Sequence, residues 1–166
     1  MGRKILRSLR IPLLLLILAW RPLLASAASG ELQTALDLAA DAKLMREQRL
    51  PMLVLYSQDD CSWCDRVRRE YLLPLQQAPE TQKKLLLRQI DLDSDADLID
   101  FGGRKTTHRR YAREEKARVT PTLMLYGASG ARLAEPIVGF RLADFYAEYI
   151  NRAIEQGQAR LSKPAE

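Results

Sequence analysis

The chain has two cysteines, Cys61 and Cys64, in the run Cys61-Ser62-Trp63-Cys64. Two thiols this close could staple the fold, supply half of a metal shell, or exchange disulfides. A bridge across two residues closes a very small loop, so it removes little entropy from the unfolded chain and adds little stability. A zinc site needs four ligands, and the sole histidine, His108, sits beside Arg109 and Arg110 on what reads as an exposed helix. The acidic series Asp91, Asp93, Asp95 and Asp97 imitates a calcium loop, but Ala96 stands where the turn needs glycine and Gly102 where a bidentate glutamate belongs. Capping and solvation explain that series better, no metal is expected, and thiol–disulfide exchange is the chemistry that remains.

Exchange needs one reactive thiol and a second within reach, so the elements around the pair matter. Leu53 to Tyr56 is a short apolar run after Pro51 and reads as a buried strand; Ser57 to Asp60 is a loop. Cys64, Val67 and Tyr71 then recur at helical spacing, predicting a helix from the cysteines to about Leu73, ahead of Pro74. At a helix start Cys61 faces unpaired N–H groups and the positive end of the dipole, which stabilise a thiolate and make it the expected nucleophile. Cys64, one turn inside, is the expected resolving thiol, able to attack a mixed disulfide at Cys61.

The remaining pattern supplies a scaffold. Leu32, Leu36, Ala39, Ala42 and Met45 predict a helix over 31–49. Leu85 to Leu92 reads as a strand, Phe101 to Thr107 as a turn, Thr107 to Lys116 as a charged helix, Thr122 to Tyr126 and Arg132 to Val138 as strands, and Leu142 to Ile154 as a helix. Tyr56 and Tyr126, at strand ends, are expected in the core. Strands that alternate with helices imply parallel pairing, with the final hairpin antiparallel. The expected class is α/β, a central mixed sheet flanked by helices on both faces.

The N-terminus bears on location. Arg3, Lys4, Arg7 and Arg10 precede an apolar run from Ile11 to Trp20, and Ala25-Ser26-Ala27 offers a cleavage site, the pattern of a secretory signal peptide over 1–27. The run is well short of the roughly 20 residues that span a bilayer. Those 27 residues hold five of the 26 basic residues and none of the acidic ones, leaving 21 basic against 21 acidic. The net charge of +5 thus belongs to the targeting segment, and a nucleic-acid partner is excluded. Residues 28–157 then form one domain and 158–166 a polar tail.

Three separated features resemble the thioredoxin superfamily over roughly Leu32 to Ile154. They are Cys61-Ser62-Trp63-Cys64 between a strand and a helix, Val119-Thr120-Pro121-Thr122 before a strand, and Val138-Gly139 ahead of the last helix. The resemblance implies a thioredoxin fold, a cis Pro121 against the cysteine pair, backbone hydrogen bonds from Thr120 to a bound peptide, and a groove shaped by Trp63, Thr120, Pro121 and Gly139. An aromatic before the second cysteine is similar to glutaredoxins and to exported disulfide isomerases and reductases, unlike the Gly-Pro pair of cytosolic thioredoxins. Two positions depart from the pattern: Leu55 replaces the buried acid that helps deprotonate the second cysteine, and Asp60 replaces the preceding tryptophan. Export, the aromatic motif and a long connector from Asp93 to Thr106 resemble the thioredoxin-like proteins of bacterial sulfur-oxidation systems.

The expected activity is therefore a periplasmic thiol–disulfide oxidoreductase that acts as a monomer without a bound cofactor. Its partners would be protein disulfides or dithiols, and its electrons would come from a membrane-embedded thiol reductase. Asp59, Asp60 and Asp65 oppose a strongly lowered Cys61 pKa, with Arg66, Arg68 and Arg69 as partial offset, which favours a reductant or an intermediate potential. The alternative is a non-catalytic binding or chaperone module with an inert disulfide.

Overall fold

The computed structural model describes residues 31–162, so the expected signal peptide and the last residues of the tail lie outside the described part. The first helix, α1 (Leu38–Gln48), starts later than its apolar periodicity predicts. Asp37 caps it by accepting the Ala40 N–H at 2.8 Å. Residues 33–37 are instead extended: the Ala35 N–H donates to Gln89 and the Gln89 N–H to Gln33, both at 2.9 Å. This segment covers the outer edge of strand β2 (Leu86–Asp91), whose ladder groups would otherwise lie open.

Strand β1 (Met52–Ser57) is buried along its whole length and pairs in parallel with β2. Strand β5 (Thr122–Tyr126) was expected parallel to β1 and is antiparallel, with Met52 opposite Tyr126 and Tyr56 opposite Thr122. The connector explains the reversal. It holds a hairpin where the sequence predicts only a turn, β3 (Asp97–Ile99) with β4 (Lys105–Thr107), and then α5 (His108–Glu114). Seven helical residues span about 10 Å, too little to carry the chain back along a strand of about 20 Å. The chain therefore enters β5 at the end where β1 leaves. Strand β6 (Ile137–Val138) pairs antiparallel with β5 and is shorter than the expected 132–138 run, because Pro136 has no N–H for the ladder. The sheet order is β2-β1-β5-β6.

Side-chain alternation along β1 feeds two cores. Leu53 and Leu55 pack with Val67, Leu72, Tyr146, Ile150 and Ala153 on one face, while Met52, Val54 and Tyr56 pack with Leu38, Met45, Tyr111 and Ala112 on the other. Tyr56 and Tyr126 are core residues, as expected. Their hydroxyls share a 2.7 Å hydrogen bond, Tyr126 donates on to Glu115, and burial pushes both pKa values up.

The cysteine helix also departs from expectation by not ending before Pro74. Helix α2 (Ser62–Val67) continues through a π-turn over Arg68–Leu72 into α3 (Leu73–Gln77), and the short α4 (Pro79–Gln82) follows. The π-turn sends the Leu73 N–H to the Arg68 carbonyl, and the ladder adjusts there to a proline with no N–H to give. Helix α6 (Ala143–Ser162) overruns the expected tail boundary, with Leu161 packed against the core. Among the described residues no helix is long and apolar enough to cross a membrane.

His108 corrects a further expectation. It is fully buried rather than solvated: Nδ1 accepts the Asp91 N–H at 3.1 Å, and Nε2 lies 2.8 Å from the Ala35 carbonyl, so the neutral Nε2–H tautomer satisfies both. Thr107 caps α5, and the ring that follows turns inward to join β2 to the 33–37 segment.

Candidate functional site

Asp60 takes a left-handed backbone (φ 53°), a conformation Asp tolerates better than bulkier residues, and turns the chain from β1 into α2. Cys61 is the N-cap of α2, and its Sγ accepts the Cys64 N–H at 3.1 Å. A sulfur in that place receives a backbone donor where a thiolate would need one. Cys61 and Cys64 form a disulfide, with Cα atoms 5.2 Å apart. Cys61 is partly open to solvent and Cys64 is fully buried, the asymmetry that an attacking and a resolving thiol require.

Sheet register brings the second motif to the same place. Because β5 runs antiparallel to β1, Thr122 lies opposite Tyr56, so Thr120 and Pro121 arrive at the end of β1 that leads into the cysteines. The Thr120–Pro121 peptide is cis, with Pro121 buried and Thr120 half-buried. Val138 pairs with Thr122, and the Gly139 N–H donates to the Pro121 carbonyl at 2.8 Å. Gly139 has φ 72°, which glycine adopts without strain as the chain turns off the strand. Cysteine pair, cis-proline loop and Gly139 thus share one end of the sheet.

Trp63 is 53% exposed. What the sequence reading missed is its support. Trp63 stacks on Phe140, centroids 5.3 Å apart, and Phe140 also meets Tyr146 at 4.8 Å and Tyr71 at 6.0 Å. The Arg66 guanidinium lies 5.1 Å from the same ring. The signal that could have found Phe140 is its place directly after Gly139. Val119, Val138, Leu142 and Phe145 are also exposed apolar side chains on the segments that carry these motifs.

The position six residues before Cys61, where the resemblance implies an acid, is Leu55. Leu55 is fully buried on the α2 face of β1. A different polar arrangement lies alongside: the Arg68 guanidinium donates to Gln89 Oε1 at 2.9 Å, Asp65 Oδ1 at 2.5 Å and the buried Ser57 Oγ at 3.3 Å. The acidic series is occupied structurally. Asp93 accepts the Asp59 N–H, Asp95 pairs with Arg109, and among the described residues no group of acids, His and Cys is arranged to hold a metal ion.

A sequence profile described as thioredoxin-like domain matches residues 38–154. The chain belongs to the thioredoxin-like family. Solved structures agree on the fold: a thioredoxin-fold protein from Helicobacter pylori (14% identity, 70% of this chain and 74% of that one, TM-score 0.53), DsbH oxidoreductase (16%, 74% and 85%, TM-score 0.52), and the oxidised C-terminal domain of Neisseria meningitidis DsbD (20%, 72% and 98%, TM-score 0.50). No curated protein matches the chain in sequence. The protein has a thioredoxin-like oxidoreductase fold with its cysteine pair at disulfide distance.

Proposed function

We propose that the protein is an exported thiol–disulfide oxidoreductase that reduces protein disulfides in the periplasm as a monomer. One observation carries the reading: a partly open Cys61 bonded to a buried Cys64, at the end of the sheet where Pro121 and Gly139 converge. The Cys61 thiolate attacks a substrate disulfide, releases one substrate thiol and holds the other as a mixed disulfide. Cys64 then attacks Cys61, the second substrate thiol leaves, and the enzyme ends oxidised. Trp63, Thr120, Pro121 and Gly139 form the substrate groove, and the exposed apolar side chains around them suit an extended polypeptide.

Export rests on the pattern of residues 1–27, and in an oxidising compartment electrons would come from a membrane-embedded thiol reductase. The acids Asp59, Asp60 and Asp65 favour the reducing direction. The test is reduction of insulin disulfides by dithiothreitol with catalytic amounts of protein. Acceleration that disappears in Cys61→Ser supports the enzyme; no acceleration by the intact protein leaves an inert-disulfide binding module instead. Equilibration against glutathione reads the direction, with a potential of about −270 mV expected for a reductant and about −120 mV for an oxidant.

A further inference from the structure

Resolution of the mixed disulfide requires Cys64 to lose its proton while fully buried, where desolvation resists a thiolate. The position that could supply an acid below it is Leu55, which offers nothing. Arg68 follows Cys64 by one helical turn, so the two share a helix face with Cβ atoms about 5–6 Å apart. Its guanidinium does not extend into water. It is fastened to Ser57 at the end of β1, Gln89 on β2 and Asp65 on its own helix, and its side chain is only 21% exposed. Ser57 and Arg68 bracket the segment that carries both cysteines, so these bonds close that segment from below.

We propose that Arg68 is the positioning residue for the resolving step: a tethered positive charge that holds the cysteine loop against the sheet and lowers the cost of the Cys64 thiolate. The inference rests on the oxidoreductase reading above. In the step, the Cys64 thiol gives its proton to solvent and its sulfur attacks Cys61 Sγ. The bond from Cys61 to the substrate sulfur breaks, and the departing thiolate takes a proton from solvent. Arg68 transfers nothing; it stabilises charge. Two acids share its surroundings: Asp65, which pairs with it from its own helix and is 55% exposed, and Asp91, whose carboxylate accepts from the Gln89 amide. The Ser57 contact brings a neutral hydroxyl.

A nearby opposite charge moves a pKa by about 1–3 units; Arg68 acts from one helical turn away and Asp65 draws off part of its charge, so the low end applies. Removing Arg68 should therefore raise the pH midpoint of the resolving step by about one unit. The thiolate fraction at pH 7 falls about tenfold, but the more basic thiolate is the better nucleophile (Brønsted slope about 0.4–0.5), so the net loss of rate is about three- to fourfold.

The assay uses the reduced full chain and 5,5′-dithiobis(2-nitrobenzoate). Attack by Cys61 releases one thionitrobenzoate, and attack by Cys64 on the mixed disulfide releases the second, followed at 412 nm across pH. Arg68→Met is expected to leave the first phase within about twofold and shift the second as above. Arg68→Lys keeps the charge and should recover most of the shift, while Gln89→Leu loosens the tether and should move it part-way. A second-phase profile in Arg68→Met identical to wild type, with the protein folded by circular dichroism, overturns the proposal. If Arg68→Met does not fold, a folded Gln89→Leu variant whose second-phase profile is identical to wild type overturns it. Wild-type protein that shows no second phase refutes the oxidoreductase reading itself, a result distinct from both.

Discussion

Phe140 ties the cysteine helix to the loop after β6, and replacing it with leucine tests whether aromatic contact fixes the rim of the site. Its ring meets Trp63 at 5.3 Å, Tyr146 at 4.8 Å and Tyr71 at 6.0 Å, and Arg66 lies 5.1 Å from it. Each such ring pair contributes about 0.5–1.5 kcal/mol beyond area burial, and a partly exposed cation–π contact about 0.5–1 kcal/mol. Phe140 is half-buried and Trp63 is 53% exposed, so the low end of each range applies. Leucine keeps most of the apolar volume and loses the ring pairs. The expected loss is about 2 kcal/mol, or about 6–10 °C in Tm for a domain of this size. Urea unfolding followed by circular dichroism measures it. A chain expressed from Ala28 has Trp63 as its only tryptophan, since the other is Trp20. Its emission should therefore shift to the red in Phe140→Leu and become less sensitive to reduction of the disulfide. Stability within about 0.5 kcal/mol of wild type together with unchanged Trp63 emission would refute the reasoning, because the ring pairs then hold nothing in place.

Two further outcomes follow from the scaffold. Asp100 is 4% exposed; burial pushes its carboxyl up, but hydrogen bonds from the Arg104 N–H and side chain and from the Gly102 N–H outweigh this and hold it below the usual carboxylate range. A depressed folded-state pKa contributes stability that is present above the unfolded value and lost as pH falls through the folded one. Asp100→Asn should cost about 1 kcal/mol at neutral pH and flatten the acid limb of a urea-midpoint-versus-pH curve; an unchanged acid limb would show that Asp100 does not drive it. Gly157 lies where helix α6 approaches β5, and an added Cβ would sit 2.2 Å from Leu125 Cδ2. Gly157→Ala gains about 1 kcal/mol of helix propensity but overpacks the core at about 1–3 kcal/mol. The expected net loss is about 1 kcal/mol, and a Tm at or above wild type in a calorimetric scan would contradict it.

The cysteine motif was legible because its chemistry is local: a strand, a turn and a helix start are written in consecutive residues. The buried strands 53–56 and 122–126 were legible from short apolar runs between breakers. The hairpin over 97–107 was not, because its strands are three residues each and its turn is held by Asp100, a polar side chain that hydropathy assigns to the surface. His108 was misread for the same reason, since a histidine between polar neighbours looks solvated until its two nitrogens are seen to join backbone groups distant in sequence. The first helix was overextended because Leu32 and Leu36 continue the apolar spacing of Ala39, Ala42 and Met45, yet Leu32 is buried on the covering edge segment and Leu36 is 67% exposed, so spacing alone does not separate a helix from such a segment.

By itself the sequence determined which groups can react and in what order along the chain: two thiols at a helix start, a threonine–proline pair before a strand, and a glycine after one. Tertiary structure decided that these meet. The antiparallel run of β5, against the parallel expectation, carries Pro121 to the cysteine end, and the Gly139–Pro121 hydrogen bond with the Trp63–Phe140 stack completes the rim. It also decided that Arg68 from the helix meets Ser57 and Gln89 from two strands. Such pairings depend on strand direction and register, which arise from contacts far apart in the chain and leave no periodic mark in it.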